Sequence, residues 1–80
     1  MTAKDAVAKR FQELCSQRGI CPNELANLAG ITPSTVYSML NTKSKNPGIV
    51  SIQKICDGLE ISIREFFDDP LFEDLDPVIQ

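Results

Sequence analysis

Pro22-Asn23-Glu24-Leu25-Ala26-Asn27-Leu28-Ala29-Gly30-Ile31-Thr32-Pro33-Ser34-Thr35-Val36-Tyr37-Ser38-Met39-Leu40 reads as two short helices joined by a tight turn. Ala26 is small where two helices must touch. Gly30 stands where the backbone must turn with positive φ, a conformation unfavourable for a residue bearing a Cβ. Leu25, Ala29, Ile31, Val36 and Met39 are the apolar positions expected to face a shared core.

The same helix-start device recurs on both sides of this turn. Ile20-Cys21-Pro22-Asn23-Glu24-Leu25 and Ile31-Thr32-Pro33-Ser34-Thr35-Val36 both run apolar, cap, Pro, two polar residues, apolar. Proline at the first helical position is harmless, because that amide has no intrahelical partner. The pairs Ile20/Leu25 and Ile31/Val36 fit hydrophobic staples, and Ile61-Ser62-Ile63-Arg64-Glu65-Phe66 repeats the device with a Ser62/Glu65 capping box.

Outward from these starts, a first helix is expected from near Thr2 to Arg18, with the stripe Val7, Phe11, Leu14 and Cys15 at helical spacing. A fourth helix follows Asn46-Pro47-Gly48 and carries Ile49, Ile52, Ile55, Cys56 and Leu59 on one face. A short fifth, Ile63 to Phe67, brings Phe66 and Phe67 to close the core. Beyond it, Asp69-Pro70-Leu71-Phe72 begins one extra helical turn, ended by Asp76-Pro77.

Eighty residues support one domain with a small core and no room for a lidded catalytic cleft. No apolar run reaches membrane-spanning length and no secretory leader is evident, so a cytoplasmic location and no membrane partner are expected. Cys15, Cys21 and Cys56 are widely spaced and unaccompanied by any histidine. That pattern argues against a disulfide framework and against a zinc site, so no metal and no cofactor are expected. An enzyme has nothing from which to assemble a reaction centre, since glycine-rich phosphate loops and spaced metal ligands are lacking too.

The formal net charge of −3 hides an uneven distribution. Residues 1–64 hold all eight Lys and Arg against five acids, a net +3, whereas residues 65–80 hold six acids and no base. An acidic tail thus follows a mildly basic body. The tail, 68–80, also contains Leu71, Phe72 and Leu75, which a purely solvated segment does not need. These residues are expected to dock either on the chain's own body or on a second subunit, with the second subunit favoured.

The five-helix order, together with the Pro22–Leu40 stretch, resembles the phage-repressor/Cro-type (Xre family, lambda-repressor-like) helix-turn-helix regulators over about residues 4–67. The resemblance implies an all-α domain over 1–67, with the helix-turn-helix at helices 2 and 3, and a small stand-alone transcriptional regulator that binds double-stranded DNA as a homodimer. The second helix of the motif, about Pro33 to Leu40, is expected in the major groove. Thr32, Pro33, Ser34, Tyr37 and Ser38 then occupy positions that reach base edges or nearby phosphates. Asn41 continues the outward stripe Ser34, Tyr37, Ser38 at helical spacing. Lys43 and Lys45, in the polar loop 41–47, supply the charge expected on phosphates. A solvated helix surface and an ordinary polar loop are the plain alternatives for these residues.

Five positions depart from the family pattern, four of them as follows. Cys15 and Leu40 stand where many relatives carry a buried Arg–Glu pair, an exchange for apolar residues that is often neutral or stabilising. Pro22 replaces a phosphate-bonding Gln, and Thr42 a common Gly. A fifth departure, Glu60 in place of a helix-ending Gly, implies strain of roughly 1 kcal/mol in a left-handed conformation. A protein-interaction module or antitoxin-type partner on the same scaffold, with weak DNA binding and a protein partner, is the competing reading.

Overall fold

The computed structural model describes residues 1–41 and 46–79. Five helices follow in order, α1 (Ala3–Arg18), α2 (Pro22–Ala29), α3 (Pro33–Leu40), α4 (Ile49–Leu59) and α5 (Ile63–Phe67), and then a single 3₁₀ turn, Pro70–Phe72. Local caps set the starts. The Thr2 hydroxyl accepts from the Asp5 amide at 3.1 Å, the Thr32 hydroxyl from Thr35 at 3.3 Å and the Ser62 hydroxyl from Glu65 at 3.0 Å. Each bond satisfies an amide that the first helical turn leaves without a partner.

The core is drawn from all five helices. Phe11 and Leu14 of α1 meet Leu25 and Ala26 of α2, Val36 and Met39 of α3, Ile52, Ile55, Cys56 and Leu59 of α4, and Phe66 of α5. Burying each large side chain contributes about 1.5–3 kcal/mol, against the entropy lost on ordering the chain. Burial pushes the Cys15 and Cys56 thiols upward, with Cys21 adding to the effect at Cys15 and Asp57 at Cys56. Both thiols belong to the packing. No described helix is long and apolar enough to cross a membrane.

Two expectations about apolar residues are corrected. Ile49 was expected inside with Ile52 and Ile55, yet it is 58% exposed and its neighbour Val50 is 61% exposed. Burial in α4 begins at Ile52, so among the described residues the first turn of this helix adds no large side chain to the core. In the tail, Phe72 takes the less favoured of its two expected places and docks on its own body. Its ring centroid lies 4.9 Å from that of Phe67 and 6.2 Å from that of Phe66. Phe11 completes this aromatic group at 5.1 Å from Phe66. The extra turn also stops at Phe72, short of Asp76, with the Asp69 carboxylate accepting from the Leu71 amide at 2.9 Å.

One cation that the sequence reading counted toward the basic body is interior. Arg10 is 7% exposed and fans its guanidinium over the end of α5. Its Nε donates to the Phe66 carbonyl at 2.6 Å and one terminal nitrogen to the Glu65 carbonyl at 3.0 Å. The other terminal nitrogen pairs with Glu13 at 3.1 Å and Asp69 at 3.3 Å. Arg18 likewise donates to the Leu59 carbonyl at 2.6 Å, so it caps α4 from outside. Two of the eight basic side chains therefore hold helices together.

Glu60 ends α4 with φ 59°, the left-handed conformation that a helix-ending Gly usually takes. Its amide bonds the Asp57 carbonyl and that of Ile61 the Cys56 carbonyl, closing the helix end in the usual way. Glu60→Gly is expected to raise stability by about 0.5–1 kcal/mol, because relief of the Cβ clash exceeds the added freedom of the unfolded chain. Urea denaturation checks this. A lower midpoint for the variant would show that Glu60 is unstrained.

Candidate nucleic-acid interface

The turn between α2 and α3 is built from Gly30 and Ile31. Gly30 adopts φ 68°, and the Ile31 amide reaches back to the Ala26 carbonyl at 3.1 Å. Ile31 is then half-buried against the core, and Thr32 is free to begin α3 in an extended conformation. With Val36 and Met39 buried and Leu40 half-buried, the opposite side of α3 must face outward. Leu25 and Ala26 anchor α2 in the same way.

On the outward side stand Thr32, Pro33, Ser34, Tyr37, Ser38 and Asn41, all exposed, with Tyr37 at 52%. They share one continuous stripe from the cap of α3 to its end, where the Asn41 amide donates to the Tyr37 carbonyl at 3.1 Å. Lys43 and Lys45 lie outside the described residues.

Thr32 has a second task. Besides capping the helix, its hydroxyl bonds those of Ser34 at 3.2 Å and Thr35 at 2.8 Å. Three hydroxyls are thereby joined at the start of α3. Thr35 was missed by sequence reasoning, which followed the stripe through Ser34 and passed over a cap neighbour three residues from Thr32. The signal was present: a Thr at the third helical position after a Thr cap can meet it through backbone and side chain alike.

The face is nearly uncharged. Between Pro22 and Asn41 the sole ionisable acid or base among Asp, Glu, Lys and Arg is Glu24, whose carboxylate is turned to the Cys21 amide at 3.4 Å. Such a surface offers hydroxyls, one aromatic ring and helix-start amides to a partner, with little long-range attraction of its own. Among the described residues no group of three or more His, Cys, Asp or Glu is placed to hold a metal ion.

Comparison with known proteins agrees with this geometry. Residues 10–70 match the Cro/C1-type HTH DNA-binding domain family. The chain is 32% identical over 65 residues to the HTH-type transcriptional regulator PuuR of Escherichia coli (strain K12), and equally to PuuR of Shigella flexneri. The alignment covers 81% of this chain and 35% of either relative, so the chain spans about a third of the length of these curated relatives. Among solved structures, the crystal structure of the prophage Lp1 protein 11 superposes with a TM-score of 0.81 at 37% identity. That match covers 94% of this chain and 99% of the other.

Proposed function

Because the chain belongs to the Cro/C1-type helix-turn-helix DNA-binding family, we propose that it binds double-stranded DNA sequence-specifically, as a transcriptional regulator, with α3 in the major groove. The observation that carries this reading is the α3 stripe: seven exposed side chains, Thr35 included, held outward by the burial of Val36 and Met39. An exposed Tyr37 amid hydroxyls has no part in the core. A partner surface accounts for it.

Loop 41–47 follows α3 directly, and its Lys43 and Lys45 are assigned to phosphate. The bases elsewhere in the chain add less than their number suggests, since Arg10 and Arg18 are engaged within the domain. A second copy completes the proposal, because two half-sites supply the affinity that one small domain lacks. The exposed Ile49 and Val50, next to the same loop, favour a protein neighbour at this end of α4. That neighbour is a second copy in the main reading and a foreign protein in the interaction-module reading.

The test is a salt titration of duplex binding. Lys43→Glu combined with Lys45→Glu is expected to weaken binding to all duplexes about equally, and to flatten the log–log salt slope by about two. An unchanged slope and affinity would remove the loop from the interface. Absence of duplex binding by the parent chain at low salt would turn the reading toward the interaction module.

A further inference from the structure

We infer that α3 selects thymine by its C5 methyl group, through Tyr37 and Pro33, so that the bases it reads form A·T pairs. The inference rests on the DNA-binding reading above and deepens it. In the major groove guanine is read by Arg or Lys, adenine by Asn or Gln, cytosine by Asp or Glu, and thymine by apolar contact with its methyl group. From Thr32 to Leu40 the chain carries no Arg, Lys, Gln, Asn, Asp or Glu. Guanine and cytosine thus have no bidentate or charged reader on this helix, whose Ser and Thr hydroxyls do not tell one base from another.

The hydroxyls at its start add little discrimination, since a hydroxyl can donate to or accept from any base. The Thr32 oxygen is filled by the Thr35 amide and the Ser34 and Thr35 hydroxyls, which leaves those two hydroxyls with spare acceptor capacity only. Beside the exposed Ser38 hydroxyl, the face presents two apolar groups: the Pro33 ring, which has no donor, and the Tyr37 ring, half-exposed one turn further on. Both are stiff groups that lose little freedom on contact.

Deoxyuridine provides the test, since it differs from thymidine only by the missing methyl. Duplexes recovered from a random pool would be resynthesised with deoxyuridine at one thymine at a time and titrated with the full chain. Where a methyl is contacted, affinity should fall about fourfold, the value for one buried methyl-sized group. The loss should vanish in Tyr37→Ala at the position under that ring and persist in Tyr37→Phe, which keeps the ring and drops only the hydroxyl. Recovered duplexes that bind tightly yet ignore deoxyuridine at every thymine, or that are enriched in G·C under α3, would overturn the inference while leaving DNA binding intact. A pool with no enriched duplex would overturn the DNA-binding reading itself, and this inference with it.

Discussion

Arg10→Ala is expected to lower folding stability by about 2–4 kcal/mol, because it leaves the buried Phe66 carbonyl without a donor and removes the cation from two partly buried carboxylates. The substitution takes a donor away from four acceptors at once. The Phe66 carbonyl, at the end of α5, takes its hydrogen bond from Arg10, and the Glu65 carbonyl shares Arg10 with the Asp68 amide. Glu13 and Asp69 lose the cation that lies between them. A five-residue helix has little stability of its own, so α5 and the turn after it depend on this fork and on the Phe66 packing. Arg10→Lys should recover only part of the loss, because a single ammonium cannot span two carbonyls and two carboxylates. Chemical denaturation of the three proteins measures the effect. A loss below about 1 kcal/mol for Arg10→Ala would place the Arg10 cluster among ordinary surface pairs.

The same cluster gives stability a pH dependence of known sign. The Leu71 amide first, and the Arg10 guanidinium with it, hold the Asp69 carboxyl below its ordinary value, against the opposing effect of its desolvation. Its contribution is therefore present above the ordinary aspartate range and is lost as pH falls through the lower, folded value. Loosening of the 69–72 turn should accompany that acid loss.

Gly58→Ala is the second substitution with a large expected effect, a net destabilisation of about 1–3 kcal/mol. In an isolated helix the change would help by about 1 kcal/mol, since glycine is a poor helix former. Here a Cβ at position 58 would lie 2.6 Å from the Leu28 carbonyl oxygen, 2.7 Å from its carbon and 2.9 Å from the Ala29 nitrogen. All three are backbone atoms of α2 and cannot swing aside as a side-chain tip would. Relief requires α2 to move off α4, and α2 leads straight into the Gly30 turn that aims α3. Duplex affinity should fall along with the melting temperature. An alanine variant more stable than the parent would mean that the two helices have slack between them.

Much of the fold is legible locally because its signals are local. Thr2, Thr32 and Ser62 act within three residues of themselves, and proline at the start of α2 and α3 needs no partner elsewhere. The stripe Ser34, Tyr37, Ser38, Asn41 follows from helical spacing once Val36 and Met39 are assigned to the core. What escapes sequence reading depends on pairs distant along the chain. Arg10 meets Phe66 across 56 residues, so in the sequence it is one more basic side chain. Gly58 looks like a weak point of α4 until the α2 backbone is set against it. Ile49 has the spacing of a core residue but sits in a first turn left exposed by the described residues, which spacing alone does not reveal. The fate of Phe72 depended on whether the aromatic group of Phe11, Phe66 and Phe67 left a face open for it, which periodicity does not encode. For the site, the hydroxyl trio at Thr32 shows the same division: the cap was readable, its side-chain bonds to Ser34 and Thr35 were not.

The central claim, that the α3 stripe is the surface that meets duplex DNA, is tested most directly by following the backbone amide signals of the isotope-labelled chain during titration with a selected duplex. The account predicts the largest changes from Thr32 to Asn41 and through the following loop to Gly48, with little change along α1 and α5. Changes centred on α1, α5 or the acidic tail, with the Thr32–Asn41 amides unmoved, would contradict it.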